Sequence, residues 1–439
     1  MLLITSYKKT MVLKLNYNSC KKLIYIQIIM VLCVFFLIST LHFPSFLSYV
    51  TDIINFLLLI CIFKIRGVKL KQLGGKYINI SIGAFIISIV LGIIFNLVSP
   101  ILVAWGARNL FRGIIFFVAC VKFLDEEDIE KIFKIFFCAQ IINVLVTLYQ
   151  YFALGIKQDY LGGIFGTSQG CNGATNVFCI ILLIYFGVSY INKNVPIYIF
   201  AVIGLTTLII AALAEIKIYY MEFALIIVLV ILFSKPSFRT FFVVGITIAG
   251  LFIAIDLMKK IFPLQYETLV NFELLKQYAD AKGGGYNISR LNAFDDINRL
   301  FFHNNIILKL FGYGLGGCEM SSFSFLISDF YKMYGHYNYR WFTHMMIYLQ
   351  NGLVGIVLYI NIFVQIFIHA IRKRKIFNKI NIYGIFVSIL SILVIINIWY
   401  NQAMLTEVQY LIYFALSICL VQTKSNKYSE NSIGRKDEK

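Results

Sequence analysis

Charged residues are scarce in this sequence, and acidic residues are the scarcest of them. Only 14% of the 439 residues are charged, and 21 acidic residues stand against 39 basic ones. Soluble globular chains carry about a quarter charged residues, so this composition excludes an ordinary soluble domain. Proline is also rare, and the five prolines fall at or between the long apolar runs, as expected of a residue that breaks helices: Pro44, Pro100, Pro196, Pro236 and Pro263.

Metal-binding motifs are lacking as well. The nine cysteines form no CxxC motif or Cys/His cluster, and most lie in apolar runs, where Cys behaves as a small hydrophobic residue. No Asp-x-Asp motif or carboxylate cluster occurs in the predicted external loops, so we predict no metal and no other cofactor. Cys171 and Cys318 fall in these loops. A disulfide between them is an alternative that we do not favour.

Long hydrophobic runs are what the sequence has in abundance. It is 60% hydrophobic, with a mean hydropathy of +0.82, and it contains repeated apolar runs of about 20 residues. We therefore predict an all-α polytopic membrane protein with about 12 transmembrane helices and one large external loop that carries short surface helices. The twelve candidate spans are 23–41, 45–63, 77–97, 101–121, 132–154, 174–192, 196–213, 216–233, 239–258, 345–371, 380–399 and 404–422.

The positions of the basic residues predict the topology. Most of the 39 Lys and Arg residues fall in alternate connections between spans, whereas the short connections on the other side have almost none. The positive-inside rule then places both termini in the cytoplasm, and it accounts for the net charge of +18 without nucleic acid. The predicted organisation is nine spans with a basic tail (1–258), an external loop (259–343), three spans (344–422) and a disordered cytoplasmic tail (423–439).

Two predicted external loops are long. The shorter loop, 155–173, is rich in glycine, and its Asp, Gln and Asn side chains could bind sugar hydroxyls, although a plain flexible loop fits equally well. The longer loop has helical hydrophobic spacing at 269–278, 291–302 and 323–334, which predicts helices on the membrane surface rather than a domain with its own core. The glycines at 283–285 are a candidate hinge.

Several cations lie inside or near the apolar spans. Arg108 and Arg112 share one helix face and lie roughly 10 and 16 Å below the predicted outer surface. An arginine at such depth must face protein or water, and it often marks function. Lys217 lies at the start of another span, where an interfacial ion pair with Glu215 is an equal alternative. Together with Arg290 of the long loop, these cations would suit a lipid diphosphate, because guanidinium groups bind pairs of phosphate oxygens.

Histidine supplies a candidate general base. His344 lies at the start of a predicted span and could accept a proton from an attacking hydroxyl, but from its position alone His336 is an equally good candidate. An interfacial histidine is more often a hydrogen-bonded bystander than a base.

Arg290, the glycine turn Gly312-x-Gly314-x-Gly316, His344 and Gly352-x-x-Gly355 follow one another in an order that resembles the O-antigen polymerase and O-antigen ligase superfamily. The resemblance implies a bundle of ten to fourteen transmembrane helices and the metal-independent transfer of glycan from undecaprenyl diphosphate on the outer face of the inner membrane. The sequence departs from the family pattern after the histidine, where Met345 replaces the usual Asn.

The resemblance also implies roles for individual residues. Arg290 would bind the diphosphate and act with His344, the proposed base, in catalysis, and Lys217 matches a basic residue near a span start that would hold the same diphosphate. Arg108 and Arg112 are candidates for the same role from their depth in the span alone. The expected partners are an undecaprenyl-diphosphate-linked oligosaccharide and membrane lipids, with a flippase and a chain-length regulator as candidate protein partners.

Three functions agree with this pattern. A polymerase of surface-polysaccharide repeat units is favoured, because the 41 Phe and 28 Tyr residues are typical of such polymerases. A ligase would differ only in its acceptor. A transporter of the lipid-linked glycan would favour internal repeats and broken helices near the midplane of the membrane, and the sequence shows neither.

Overall fold

The structure is a computed structural model that describes residues 16–65, 75–234, 238–261, 263–271, 273–274, 288–373, 375–376 and 379–421. The proposed glycine hinge at 283–285, half of the first predicted surface helix at 269–278 and the predicted disordered tail at 423–439 lie outside these residues. The first ten helices are α1 Tyr17–Ser39, α2 Val50–Lys64, α3 Lys76–Asn96, α4 Pro100–Phe123, α5 Glu126–Phe152, α6 Asn172–Ile191, α7 Ile197–Leu213, α8 Lys217–Phe233, α9 Phe238–Ile261 and α10 Pro263–Val270.

The remaining described helices begin after the break at 275–287. They are α11 Ala293–Ile297, followed by a π turn at Asn298–Phe302, α12 Ile306–Phe311, α13 Asp329–Tyr334, α14 Thr343–Lys373, α15 Ile382–Tyr400 and α16 Gln409–Ser417. Two short antiparallel strands, β1 Lys375–Ile376 and β2 Lys379–Ile380, connect α14 to α15. The 3-10 turns are Ser45–Tyr49, Gln158–Tyr160, Gly163–Phe165, Ser324–Leu326, Gly335–Tyr337, Tyr339–Trp341, Ala403–Leu405 and Ile418–Leu420.

The chain is a helical, multi-pass membrane protein, which confirms the predicted class. Eight helices in the described parts are long and apolar enough to cross a membrane, namely α1, α2 with its preceding turn, α3, α4, α5, α6, α14 and α15. The described residues therefore contain fewer such helices than the predicted number of about twelve. Three of the remaining predicted spans coincide with shorter helices. Helices α7 and α8 have 17 residues each, and α16 has nine.

Helix α6 lies at the centre of the bundle. All its residues from Thr175 to Ile191 are buried, and α5, α7, α8, α15 and α16 pack around it. A helix that is apolar on all sides is expected in such a position, because it has no face for water or lipid. By contrast, α3 exposes one apolar face and packs its other face on α14, so it lies at the periphery.

Packing and hydrogen bonds anchor the middle part of the loop at 155–173. Residues 161–166 are buried against α5 and α1. Gln150 of α5 donates to the Gly163 carbonyl (2.9 Å) and accepts from its amide (2.8 Å), and Asn143 accepts from the Ile164 amide (3.0 Å). The polar stripe of α5 thus satisfies the backbone of a buried turn, as buried N–H and C=O groups require.

An ion-pair cluster fixes the start of α5 against α1. Asp125 caps α5 and pairs with Lys21 (2.8 Å), which also binds Asp128 (2.5 Å). Burial would raise the pKa of Asp125, but hydrogen bonds from Lys21 and from the Asp128 backbone outweigh it and hold the pKa below its ordinary value. The acidic start of α5 is therefore partly a tertiary contact and not simply a solvated face.

The segment 288–343 has an aromatic cluster, where the sequence predicts surface helices without a core. Phe330 packs against Tyr313 (4.8 Å between ring centroids), Phe301 (5.1 Å) and Tyr339 (5.5 Å). The Tyr339 hydroxyl donates to the Cys318 carbonyl (2.8 Å), and burial raises the pKa of that hydroxyl far above its usual range. Edge-to-face and tilted aromatic pairs of this kind stabilise beyond their buried area, so this part of the segment is a small packed unit.

Candidate functional site

The two arginines of α4 are each paired with a carboxylate. The guanidinium of Arg108 binds Asp52 of α2 and lies over the rings of Trp105 (4.6 Å) and Tyr49 (5.6 Å). Its side chain is 23% exposed, so Arg108 is only partly buried. Asp52 carried no role in the sequence analysis. The only sign in the sequence that Asp52 has a role is its position near the end of a predicted span.

Arg112 lies deeper, and its side chain is 3% exposed. Nη1 donates to Glu407 (2.8 Å), and Nη2 donates to the Leu405 carbonyl (2.8 Å). Burial would raise the pKa of Glu407, but the Arg112 charge outweighs burial and lowers the pKa below its usual value. The pair therefore ties α4 to the turn before α16, and Glu407 neutralises the buried arginine.

A third carboxylate, Glu319, is buried between α4 and α14. It accepts hydrogen bonds from Asn109 (3.0 Å) and from Gln350 (3.1 Å), and Arg108 donates in turn to the Asn109 side chain (2.7 Å). Four helix or loop segments are thereby linked in series: α2, α4, the 312–321 loop and α14. No sequence motif identifies Glu319, because its partners lie 210 and 31 residues away.

The glycine turn at 312–316 packs against α14 at the point where that helix is interrupted. At Gly352 the backbone of α14 turns to φ 64° and ψ −167°, which interrupts the helical hydrogen bonds. The amides of Tyr313 and Gly314 donate to the carbonyls of Leu349 (2.9 Å) and Gln350 (2.8 Å), which the break leaves available. A Cβ at Gly352 would collide with the α12 backbone, so only glycine allows the two segments to meet.

The same turn also lies against α3 and α4. Asn96 of α3 donates to the Gly312 carbonyl (2.9 Å), and Gly316 lies directly against the backbone of α4 at Leu102. The predicted turn residues Gly312, Gly314 and Gly316 all have positive φ angles, of 66°, 82° and 88°. The motif therefore positions the polar segment on three helices.

Arg290 lies on a turn that Ser289 and Asp296 stabilise. The Ser289 amide donates to Asp296 (3.1 Å), and Ser289 is fully buried. The guanidinium of Arg290 lies over the rings of Phe342 (4.4 Å) and Tyr400 (4.7 Å). Two aromatic faces stabilise the cation and restrict its orientation, while the edge of the guanidinium plane, which carries the N–H donors, is the part that binds anions.

Lys217 is brought close to Arg290. It begins α8 after Glu215, whose backbone is left-handed (φ 51°). The charge of Lys217 interacts favourably with Glu215 and Asp159, and unfavourably with Arg290. Two cations separated by more than 70 residues in sequence thus act on each other, in a region that also contains two carboxylates.

His344 lies behind Arg290 and is completely buried. Its ring stacks on Trp399 (5.2 Å between centroids, 8° between planes), and Nδ1 lies 3.3 Å from the Ile398 carbonyl. The ring also contacts the backbone of Arg290. His336, the other candidate base, packs on Tyr337 (4.5 Å between ring centroids).

The predicted site residues therefore form two groups. Lys217 interacts with Arg290 through its charge, and His344 contacts the Arg290 backbone, so we call these three residues the Arg290 cluster. Arg108 and Arg112 lie on α4, and each is paired with its own carboxylate. Within those residues, Cys171 and Cys318 are buried free thiols, and burial raises the pKa of Cys171 to about 12.

The sequence matches no protein-family model, and no curated protein sequence matches it significantly.

Proposed function

We propose that this protein polymerises undecaprenyl-diphosphate-linked oligosaccharide repeat units into a surface polysaccharide, on the outer face of the bacterial inner membrane. The observation that carries the proposal is that the positive charges of Arg290 and Lys217 act on each other in the fold. Bringing two cations together in a partly buried place is unfavourable unless anionic groups offset the repulsion. Glu215 and Asp159 offset part of it, and a diphosphate would supply two further negative charges at the edge of the Arg290 guanidinium.

In the proposed reaction a sugar hydroxyl of the incoming repeat unit attacks the anomeric carbon of the growing chain. A new glycosidic bond forms while the bond from that carbon to the lipid diphosphate breaks, and the diphosphate leaves with the electron pair. Arg290 and Lys217 would stabilise the negative charge that develops on the departing diphosphate. The hydroxyl proton passes to a base.

The geometry refines the roles of the other predicted residues. We assign Arg108 and Arg112 to the frame of the bundle, because each already binds a carboxylate. We assign His344 to positioning Arg290 rather than to proton transfer, since its ring is buried against Trp399 and contacts two backbone segments.

Substitutions in a strain that lacks the gene test the diphosphate site. Arg290→Ala and Lys217→Ala should abolish long polymer, whereas Arg299→Ala should not. Arg299 is a matched control in the same segment, with a side chain that is 66% exposed. Arg290→Lys keeps the charge but loses the planar fork, so partial polymer is expected. Normal polymer in both alanine variants would refute the site.

Product analysis tests the reaction. Lipid-linked polymer supports a polymerase, whereas polymer on another acceptor identifies a ligase. Purified protein that moves labelled lipid across vesicles without making a glycosidic bond identifies a transporter.

The role of His344 is tested by His344→Gln, because Gln keeps a hydrogen-bonding side chain but cannot act as a base. Activity in His344→Gln with an unchanged rate–pH profile supports positioning, and complete loss with stable protein restores the general-base role.

A further inference from the structure

A carboxyl group lies in the interior of the bundle, away from the Arg290 cluster. Glu222 of α8 is 1% exposed. Its Oε2 accepts a hydrogen bond from Asn176 of α6 (2.8 Å), and its Oε1 accepts one from Asn397 of α15 (2.6 Å). Three helices therefore meet at one acidic side chain, and both of its hydrogen-bond donors are neutral amides.

The amides extend from Glu222 towards the start of α14. Asn401 donates to the Asn397 side chain (2.6 Å), and its own carbonyl accepts from the Thr343 amide (3.0 Å) and hydroxyl (2.9 Å). One acceptor in this network has no donor: the side-chain oxygen of Asn176 is buried and lacks a hydrogen-bond partner. A buried acceptor without a donor costs about 1–3 kcal/mol, so the network can accept one more proton donor.

No charged group of the described residues in α6, α7, α9 or α15 acts on Glu222. The titratable group that faces it is Tyr219, which in turn faces Cys179 and Tyr220, and all three are neutral at neutral pH. An ionised carboxylate that is buried among neutral groups is costly, whereas a neutral carboxylic acid is not. The two amide N–H groups point their hydrogens at the carboxyl oxygens, which disfavours a metal cation there. These two bonds favour the ionised form, but burial without any counter-charge outweighs them.

We propose that Glu222 is a proton-binding site that is occupied at neutral pH, and that the bound proton holds α6, α8 and α15 together. The neutral acid still accepts both amide hydrogen bonds, and its O–H provides the donor that the network lacks. Loss of the proton places an uncompensated charge between three helices and weakens their contact. The stability from this site is therefore complete below the ordinary carboxyl pKa, and it is lost as the pH rises from there to the value at which the folded chain releases the proton.

Infrared spectroscopy of the full chain in lipid vesicles tests the protonation. At neutral pH, the difference between the wild type and Glu222→Gln should contain the C=O band of a protonated carboxylic acid, and this band should disappear in alkaline buffer. Glu130→Gln, at an exposed position of α5, is the matched control and should lack this difference. If Glu222→Gln does not fold, Glu222→Asp replaces it and should shift the band. A neutral-pH spectrum without any acid band from residue 222 overturns the proposal.

Thermal unfolding tests the coupling to the helices. The wild-type melting temperature should fall in alkaline buffer, whereas Glu222→Gln should start slightly lower and show a smaller alkaline loss. Parallel pH profiles in the two proteins refute the coupling. Neither measurement uses glycan synthesis, so the outcome is independent of the polymerase proposal.

Discussion

The buried pair between Arg112 and Glu407 offers a quantitative test of how this bundle is held together. In Glu407→Gln the arginine keeps its bond to the Leu405 carbonyl but loses its counter-charge, while its side chain remains 3% exposed. Removing one partner of a buried ion pair typically destabilises a protein by about 3–5 kcal/mol. That loss corresponds to roughly two to three and a half orders of magnitude in the folded-to-unfolded ratio.

Replacing both partners distinguishes the effect of losing one counter-charge from the effect of burying charged groups at all. The double variant Arg112→Met/Glu407→Met should recover most of the loss, since it leaves no charge stranded in the interior. Equilibrium unfolding in mixed detergent micelles measures the free energy of each single variant and of the double variant. Asp52→Asn is the comparison at the more exposed pair, where the side chains of Arg108 and Asp52 are 23% and 19% exposed, and its effect should be smaller.

The result that would refute this reasoning is a loss below about 1 kcal/mol in Glu407→Gln, which is the range of solvent-screened surface pairs. The pair would then be hydrated in the membrane, and Arg112 would remain a cation that a substrate could reach.

Two further predictions concern backbone geometry and pH. Gly352→Ala should destabilise the protein by about 1–3 kcal/mol, because alanine is strained at φ 64° and its Cβ meets the α12 backbone. Gly204→Ala is the control: a Cβ there meets nothing within 4 Å, so thermal unfolding should show an unchanged or raised melting temperature. The lowered pKa of Asp125 means that its pairing with Lys21 contributes stability above the ordinary carboxyl pKa, and that this contribution is lost as the pH falls through the lowered value. Asp125→Asn keeps the helix cap and should flatten the acid side of the stability profile, and an acid limb identical to that of the wild type would contradict the assignment.

The class of the protein follows from local properties of the sequence. A run of about 20 apolar residues predicts a span without reference to any other part of the chain, and most long helices lie where such runs occur. Eight helices of the described residues have the length and hydropathy of a span, and the predicted spans at α7, α8 and α16 coincide with apolar helices of fewer than 18 residues. In the described residues, α7 packs on α5, α6 and α9, α8 packs on α6, α9 and α15, and α16 packs mainly on α4. Hydropathy alone does not distinguish a short packed helix from a span.

The site was only partly predictable, and for a physical reason. Arg290, Lys217 and His344 are recognisable by residue type and position, and the structure brings them together. Arg108 and Arg112 were grouped with them because depth in a span indicates function. Their partners Asp52 and Glu407 lie 56 and 295 residues away, and pairing across such distances leaves no local pattern.

Local sequence properties were enough to predict a helical, multi-pass membrane protein and a glycine turn at 312–316, because hydropathy and glycine content act over neighbouring residues. Long-range packing determines which cations pair with a carboxylate. It also places the glycine turn against the interruption of α14 at Gly352, and it surrounds Glu222 with neutral amides. Those outcomes depend on which side chains packing brings into contact, and a charge in a low-dielectric interior is governed by its neighbours in space rather than by its neighbours in sequence.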